Sequence, residues 1–172
     1  MAAYLEAMDA ARMGPDPEVP VRRLIAALGP RMLQVAATQA LGAHTYFVPV
    51  EHTAKARELL GPEPVLAVEQ TAVVSGDPAV ARGIARPWAA DYLSLPNYAN
   101  NWRRLGYGDD LRDGGSDRLI DAAFAWGDVS SIASRVREHL DAGADHVCIQ
   151  VISGRDDDVG LPALRELAAA LL

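Results

Sequence analysis

A parallel α/β sheet built from four strand–helix units, half of an eight-unit (β/α)8 TIM-type barrel, is the fold class this sequence predicts. Three observations carry that expectation. Short apolar runs of strand length alternate with segments whose apolar residues recur at helical spacing. The run Val65–Val74 is apolar on both faces except at its middle, as a strand covered on both sides requires. A turn, Ala27-Leu28-Gly29-Pro30-Arg31-Met32, joins the first strand to the helix that follows it.

The elements follow in order. Met1 to Arg12 reads as an amphipathic helix with Tyr4, Leu5 and Met8 on one side and Glu6 and Asp9 elsewhere. Breakers fill Met13 to Pro20, which is a loop. Val21 to Ala26 is a strand, and Arg31 to Leu41 is a helix whose first position suits Pro30, since the N–H that proline lacks is unpaired there anyway. Gly42 to Val48 is the second strand, closed by Pro49, and Val50 to Leu60 is a helix stopped by Gly61-Pro62. After the third strand, Asp77 caps a helix running from Ala79 to Leu95, with a kink expected at Pro87.

Leu95 to Gly127 breaks the rhythm and reads as an insertion before the last unit. It holds a polar and aromatic cluster, an acidic turn at Asp109 to Asp113, the pair Gly114-Gly115 and a helix from Ser116 to Trp126 capped by Ser116. Alternation then resumes. Asp128 caps a helix from Val129 to Ala142, Ala144 to Ile152 is the fourth strand, Ser153 to Gly160 is an acidic loop, and Leu161 to Leu172 is a closing helix. Residues 1–172 make one domain in this reading.

Composition narrows the function classes. Half of the 172 residues are hydrophobic and 23% are charged, with a mean hydropathy of +0.02, which fits a globular chain with a real core. No apolar run approaches ~20 residues, so no membrane span is expected, and the N-terminus lacks a signal peptide's pattern, so a cytoplasmic location is expected. A net charge of −7 leaves no electrostatic footprint for nucleic acid, and Arg22-Arg23 and Arg103-Arg104 read as solvated faces. The single cysteine, Cys148, excludes an internal disulfide and a multi-cysteine zinc cluster, and it reads as a small buried hydrophobe. No spacing of His, Asp and Glu suggests a metal site, and no Gly-x-Ser-x-Gly elbow supports a hydrolase.

Several residues carry chemistry. Gly29 lets the backbone approach a ligand, the first amides of the following helix point at an anion, and Arg31 adds a forked cation; a tight loop with a well-capped helix explains the same residues. His44 suits a hydrogen bond to a phosphate, to a substrate or to the fold itself. Glu69 and Gln70 are adjacent on a strand, so only one faces the interior; Glu69 reads as an acid or base, or as the partner of an arginine. Asn97, Tyr98, Asn100, Asn101 and Trp102 read as a substrate lid or as a helix start with buried aromatics. His52 and His139 read as surface residues, and His146 as lying near the barrel bottom.

Taken together, Ala27-Leu28-Gly29-Pro30-Arg31-Met32-Leu33 with Ala36-Ala37, then Gly42-Ala43-His44, then the Gly127-Asp128 helix start and Ala142-Gly143-Ala144-Asp145-His146-Val147 resemble the C-terminal half of the luciferase-like monooxygenase family. The resemblance covers essentially the whole chain and is nearest to oxidoreductases that use the deazaflavin coenzyme F420. It implies a (β/α)8 barrel with an insertion and a coenzyme at the C-terminal ends of the strands. Gly29, Pro30, Arg31 and Met32 would hold its phosphate-bearing tail, Ala26, Ala27 and Leu28 would line the same wall, and His44 and Thr45 would face the coenzyme. Asn97, Tyr98, Asn101 and Trp102 would meet the substrate. The implied reaction moves a hydride between F420 and a small organic substrate; the alternatives are an FMN-dependent monooxygenase and a non-catalytic half-barrel acting as a partner subunit.

A full barrel needs ~250 residues, and this chain starts where the fourth helix of the family would be under way. The strands at Arg22 to Ala27 and His146 to Ile152 are therefore expected to be open edges. That expectation calls for a homo-oligomer or for a second chain that covers them, unless the chain is an incomplete gene product.

Overall fold

A computed structural model describes residues 1–11, 22–154 and 160–171. Its described elements are α1 (Ala2–Ala10), β1 (Leu24–Ala26), α2 (Pro30–Gln39), β2 (Gly42–Thr45), α3 (Val50–Leu60), β3 (Val65–Val74), α4 (Pro78–Leu93), α5 (Pro96–Arg104), α6 (Asp117–Ala123), β4 (Ala125–Gly127), α7 (Val129–Asp141), β5 (His146–Val151) and α8 (Leu161–Leu171). A short 3-10 segment, Gly108–Gly114, lies between α5 and α6.

All strand pairs are parallel, and β3 is the centre of the sheet. β1 pairs with β2, and β2 pairs with the start of β3 from Val65 to Val68. β5 pairs with β3 from Ala67 to Ala72, and β4 pairs with its end from Ala72 to Val74. Ala67 and Val68 are shared by β2 and β5, and Ala72 by β4 and β5, so β2 and β4 lie along one edge of β3 and β5 along the other. Gly42 makes the β2–β3 approach possible: a Cβ there would sit 1.9 Å from the Val65 carbonyl oxygen.

Strand alternation sorts the side chains onto two faces. Ile25, Ala43, Leu66 and Val68 pack with Leu33 and Ala36 of α2 and Ala56 and Leu60 of α3. Farther along the same face, Ala72 packs with Ile132 of α7 and Leu167 of α8. The register puts Ala26, His44, Ala67, Glu69, Thr71, Cys148 and Gln150 on the opposite face, which is polar where the helix side is apolar. At the C-terminal ends of the strands a third cluster gathers Phe47, Val73, Trp102, Tyr107, Leu119 and Phe124 under α4, α5 and α6.

The fold class read from the sequence is the one observed, a parallel α/β half-barrel, with four differences of detail. The helix expected from Ser116 to Trp126 ends at Ala123, and Ala125–Gly127 forms the short strand β4 because Phe124 turns extended and passes the chain to the end of β3. The helix expected to reach Leu95 stops at Leu93, since Pro96 starts α5; Pro87 lies inside α4 without ending it. Cys148 is half-buried rather than buried, because it stands on the polar face of β5. His52 and His139 are buried, because each lies on the side of its helix that packs inward. The loop expected at Met13 to Pro20 lies outside the described residues, as do residues 155–159 of the loop expected at Ser153 to Gly160.

Candidate functional site

The strand-to-helix turn after β1 is tied down from two sides. The Ala27 N–H donates to the His44 carbonyl at 3.1 Å. From α3, His52 Nε2 lies 2.9 Å from the Leu28 carbonyl. Burial holds the His52 pKa down, and the Leu28 hydrogen bond opposes this in part. His52 is therefore the neutral ring that donates to that carbonyl and fixes the turn from beneath. Gly29 is the N-cap of α2 in extended conformation, with no capping side chain, so the helix start offers its first-turn amides and the positive end of its dipole.

Arg104 completes this turn. A Cβ on Gly29 would lie 3.3 Å from an Arg104 guanidinium nitrogen, so the guanidinium rests directly against the glycine backbone. Its Nη2 donates to Asn101 Oδ1 at 3.3 Å, and among the described residues no carboxylate lies within ion-pairing distance of it. From the sequence, Arg103-Arg104 is expected on a solvated face. Arg104 is indeed exposed, but α5 folds back to bring it over the Gly29 turn, a juxtaposition that strand and helix periodicity do not encode.

Beside the turn is a cavity of about 210 Å³ lined by Ala26, Ala27, Leu28, Gly29, Met32, His44, Tyr46, Asn97 and Tyr98. Residues singled out separately from the turn, from β2 and from the insertion thus converge on one space. Pro30 and Arg31 are exposed just outside it. Thr45 is turned the other way: alternation after His44 buries it on the helix side, with its hydroxyl unpartnered. Asn101 and Trp102 are buried and line no part of this cavity; Trp102 packs edge-on against Phe47 and Tyr107. Both pack inward from α5 rather than toward the cavity.

The electrostatics of the polar face are set by burial. His44 has its pKa lowered first by burial and then by the charge of His146, so it is neutral at pH 7. Glu69 is 5% exposed, and burial pushes its carboxyl up to about 7. Its Oε1 accepts from the Thr71 hydroxyl at 2.6 Å and its Oε2 from the Phe47 N–H at 3.4 Å. Among the described residues no arginine pairs with it. Phe47 adopts φ 53, a left-handed conformation unusual for a bulky residue. It directs the amide to Glu69 while its ring packs against Tyr92, Tyr98, Trp102 and Phe124.

No family model and no curated protein matches the sequence. Solved structures do match. An F420-dependent secondary alcohol dehydrogenase in complex with an F420–acetone adduct superposes with a TM-score of 0.66 at 16% identity, over 91% of this chain and 50% of that one. A coenzyme F420 dependent tetrahydromethanopterin reductase from Methanopyrus kandleri gives 0.61 at 16% identity, over 86% of this chain and 50% of that one. An EDTA monooxygenase from Chelativorans sp. BNC1 gives 0.59 at 13%, over 91% and 45%. The chain carries half of their fold. It spans about half the length of these structures, and identity this low speaks for architecture alone. Among the described residues, no helix is long and apolar enough to cross a membrane and no group of three His, Cys, Asp or Glu is placed to hold a metal ion.

Proposed function

We propose that this chain supplies the coenzyme-tail side of an F420-dependent oxidoreductase of the luciferase-like group, in which a hydride passes between the deazaflavin and a small organic substrate. The observation that carries this reading is the Gly29 turn with Arg104 against it, opening onto the cavity shared by His44, Tyr46, Asn97 and Tyr98. A helix start without a capping side chain, a glycine that leaves room for close approach and a guanidinium with no carboxylate partner among the described residues fit a phosphate-bearing tail.

In this reading the Gly29 turn and Arg104 bind the tail, Met32 and Ala26 to Leu28 form the wall, and His44 offers one ring N–H to the coenzyme. Asn97 and Tyr98 cover the cavity from α5 and meet the substrate, while Asn101 and Trp102 hold that helix in place. When bound, the coenzyme supplies the hydride chemistry; the protein supplies position and charge. The polar face of the sheet would be covered by the other half of the barrel, whose strands pair with β1 and β5. FMN is the alternative, and it would use the same turn through its own phosphate.

The test is a fluorescence titration of the folded 172-residue chain with F420 and, in parallel, FMN, with its mass in solution recorded. Saturable binding of F420 in preference to FMN supports the reading, and preference for FMN replaces it with the monooxygenase alternative. Binding of neither by a folded chain overturns the tail site and leaves a non-catalytic half-barrel.

A further inference from the structure

Glu69, Thr71, Tyr46 and Gln150 form a connected polar group beside the cavity, and the reading above gives them no task. We propose that Glu69 is the proton store of this site and that the Thr71 hydroxyl and the Tyr46 phenol pass its proton to the cavity. This rests on the proposed function, since it names how that site supplies a proton.

The path is drawn by the sheet register. Thr71 and Gln150 are partners across β3 and β5, so their side chains stand side by side on the polar face. Tyr46, just beyond β2, reaches this pair: its Oη donates to Gln150 Oε1 at 2.8 Å, on the strand neighbour of Thr71. Thr71 in turn donates to Glu69 Oε1 at 2.6 Å. Tyr46 also lines the cavity, so one end of the path is a buried carboxyl and the other meets a ligand.

Two arrangements of the same atoms exchange the proton. With Glu69 ionised, Thr71 donates to it and Tyr46 donates to Gln150. With Glu69 protonated, its O–H donates to Thr71 Oγ1, the Thr71 O–H turns to Tyr46 Oη, and the Tyr46 O–H is free to point into the cavity. A hydroxyl both donates and accepts, so Thr71 and Tyr46 pass from one arrangement to the other by turning their O–H bonds.

For a carbonyl substrate the balance closes. The carbonyl carbon gains a hydride from the reduced deazaflavin, and the C=O π pair moves to the oxygen, which takes the Tyr46 proton to become an alcohol. Thr71 reprotonates Tyr46, and Glu69 reprotonates Thr71, leaving Glu69 as carboxylate. The titratable groups near Glu69 are Tyr46 after β2, Tyr98 on α5 and Cys148 on β5; burial pushes the carboxyl up to about 7. A store that is half-loaded near neutral pH both gives and regains a proton there.

The experiment is an infrared pH titration of the 172-residue chain, following the carboxylic-acid C=O stretch in wild type and four variants. A band with a midpoint near 7 that is missing in Glu69→Gln assigns it. Thr71→Val should raise the midpoint, because the carboxylate loses its donor, and Thr71→Ser should restore it. Tyr46→Phe should lower the midpoint by about half a unit or more, because the protonated arrangement loses its acceptor. An unmoved midpoint in Tyr46→Phe overturns the path even if F420 binds. The expected shifts in a chain that binds no F420 uphold the path and overturn the tail site instead. In the loaded protein, Glu69→Gln should abolish the fall in carbonyl-reduction rate above pH 7; a retained fall counts against the store.

Discussion

Glu69 and Gln70 are neighbours on one strand, yet they stand in opposite worlds. Gln70, on the helix side, is fully partnered: its amide nitrogen donates to the carbonyls of Thr71 and Ala123 at 2.8 and 3.1 Å, and its oxygen meets His139 Nε2 at 2.9 Å. That oxygen can only accept, so His139 carries its proton on Nε2 and takes the Thr53 hydroxyl on Nδ1 at 2.8 Å. Glu69, on the other face, is just as buried but has one hydroxyl, one long amide contact and, among the described residues, no counter-charge. The helix side is finished structure; the polar face keeps a titratable group that burial holds protonated up to about pH 7.

Removing the finished network has the largest expected effect. Gln70→Ala leaves the His139 N–H and two buried carbonyls without partners and opens a cavity, so it should cost about 3–5 kcal/mol in urea unfolding. A loss below about 1 kcal/mol would mean that the helix side is no better knit than the other.

The pH dependence separates the two faces next. Burial, with the charges of Arg135 and His52, holds His139 down to about 4 from 6.5. Its contribution is present above 6.5 and is lost as the pH falls toward 4, on the order of 3 kcal/mol in all. Glu69 does the reverse: raised from 4.5 to about 7, it contributes fully below 4.5 and loses a similar amount as the pH rises to about 7. Between 4.5 and 6.5 the two slopes oppose each other, so wild-type stability should be nearly flat there. Glu69→Gln should expose the acid-side loss due to His139, and His139→Gln should expose the alkaline-side loss due to Glu69. Unfolding free energies across this range, measured for the three proteins, would contradict the comparison if all three curves ran parallel.

At pH 8 Glu69→Gln should stabilise the chain by about 1–3 kcal/mol, since the buried charge disappears while a hydrogen-bonding amide remains. The smallest effect on stability is expected at Gly29. Its φ of −87° is open to any residue, so Gly29→Asp gains an N-cap and a neighbour for Arg104, worth about 0.5–1 kcal/mol. The same carboxylate occupies the anion position, so coenzyme binding should weaken about tenfold or more in a chain that is slightly more stable. A thermal melt beside a titration reads both effects.

These contrasts mark how far the sequence could be read. The strand Val65–Val74 was legible because ten residues keep one pattern, whereas Ala125-Trp126-Gly127 is too short to show any period. That Glu69 and Gln70 must split between two faces follows from strand geometry; which of them faces the helices depends on pairing with strands far along the chain. His52 and His139 looked like surface among Glu, Lys and Arg, although His52-Ala56-Leu60 and Ile132-Val136-His139 fall on the buried stripes of their helices. Arg104 left no signal at all, because its place over Gly29 comes from how α5 packs. The Gly29 turn was readable because glycine, proline and a following helix are local chemistry.

The central claim is that this turn holds the phosphate-bearing tail of a deazaflavin. It is tested most directly by titrating the folded chain with intact F420 and with the same deazaflavin lacking its tail. The account predicts that the intact coenzyme binds about tenfold or more tightly, a charge-assisted contact of roughly 1.4 kcal/mol or above, and that the difference vanishes in Gly29→Asp. Equal affinities for the two ligands in the wild-type chain would contradict it.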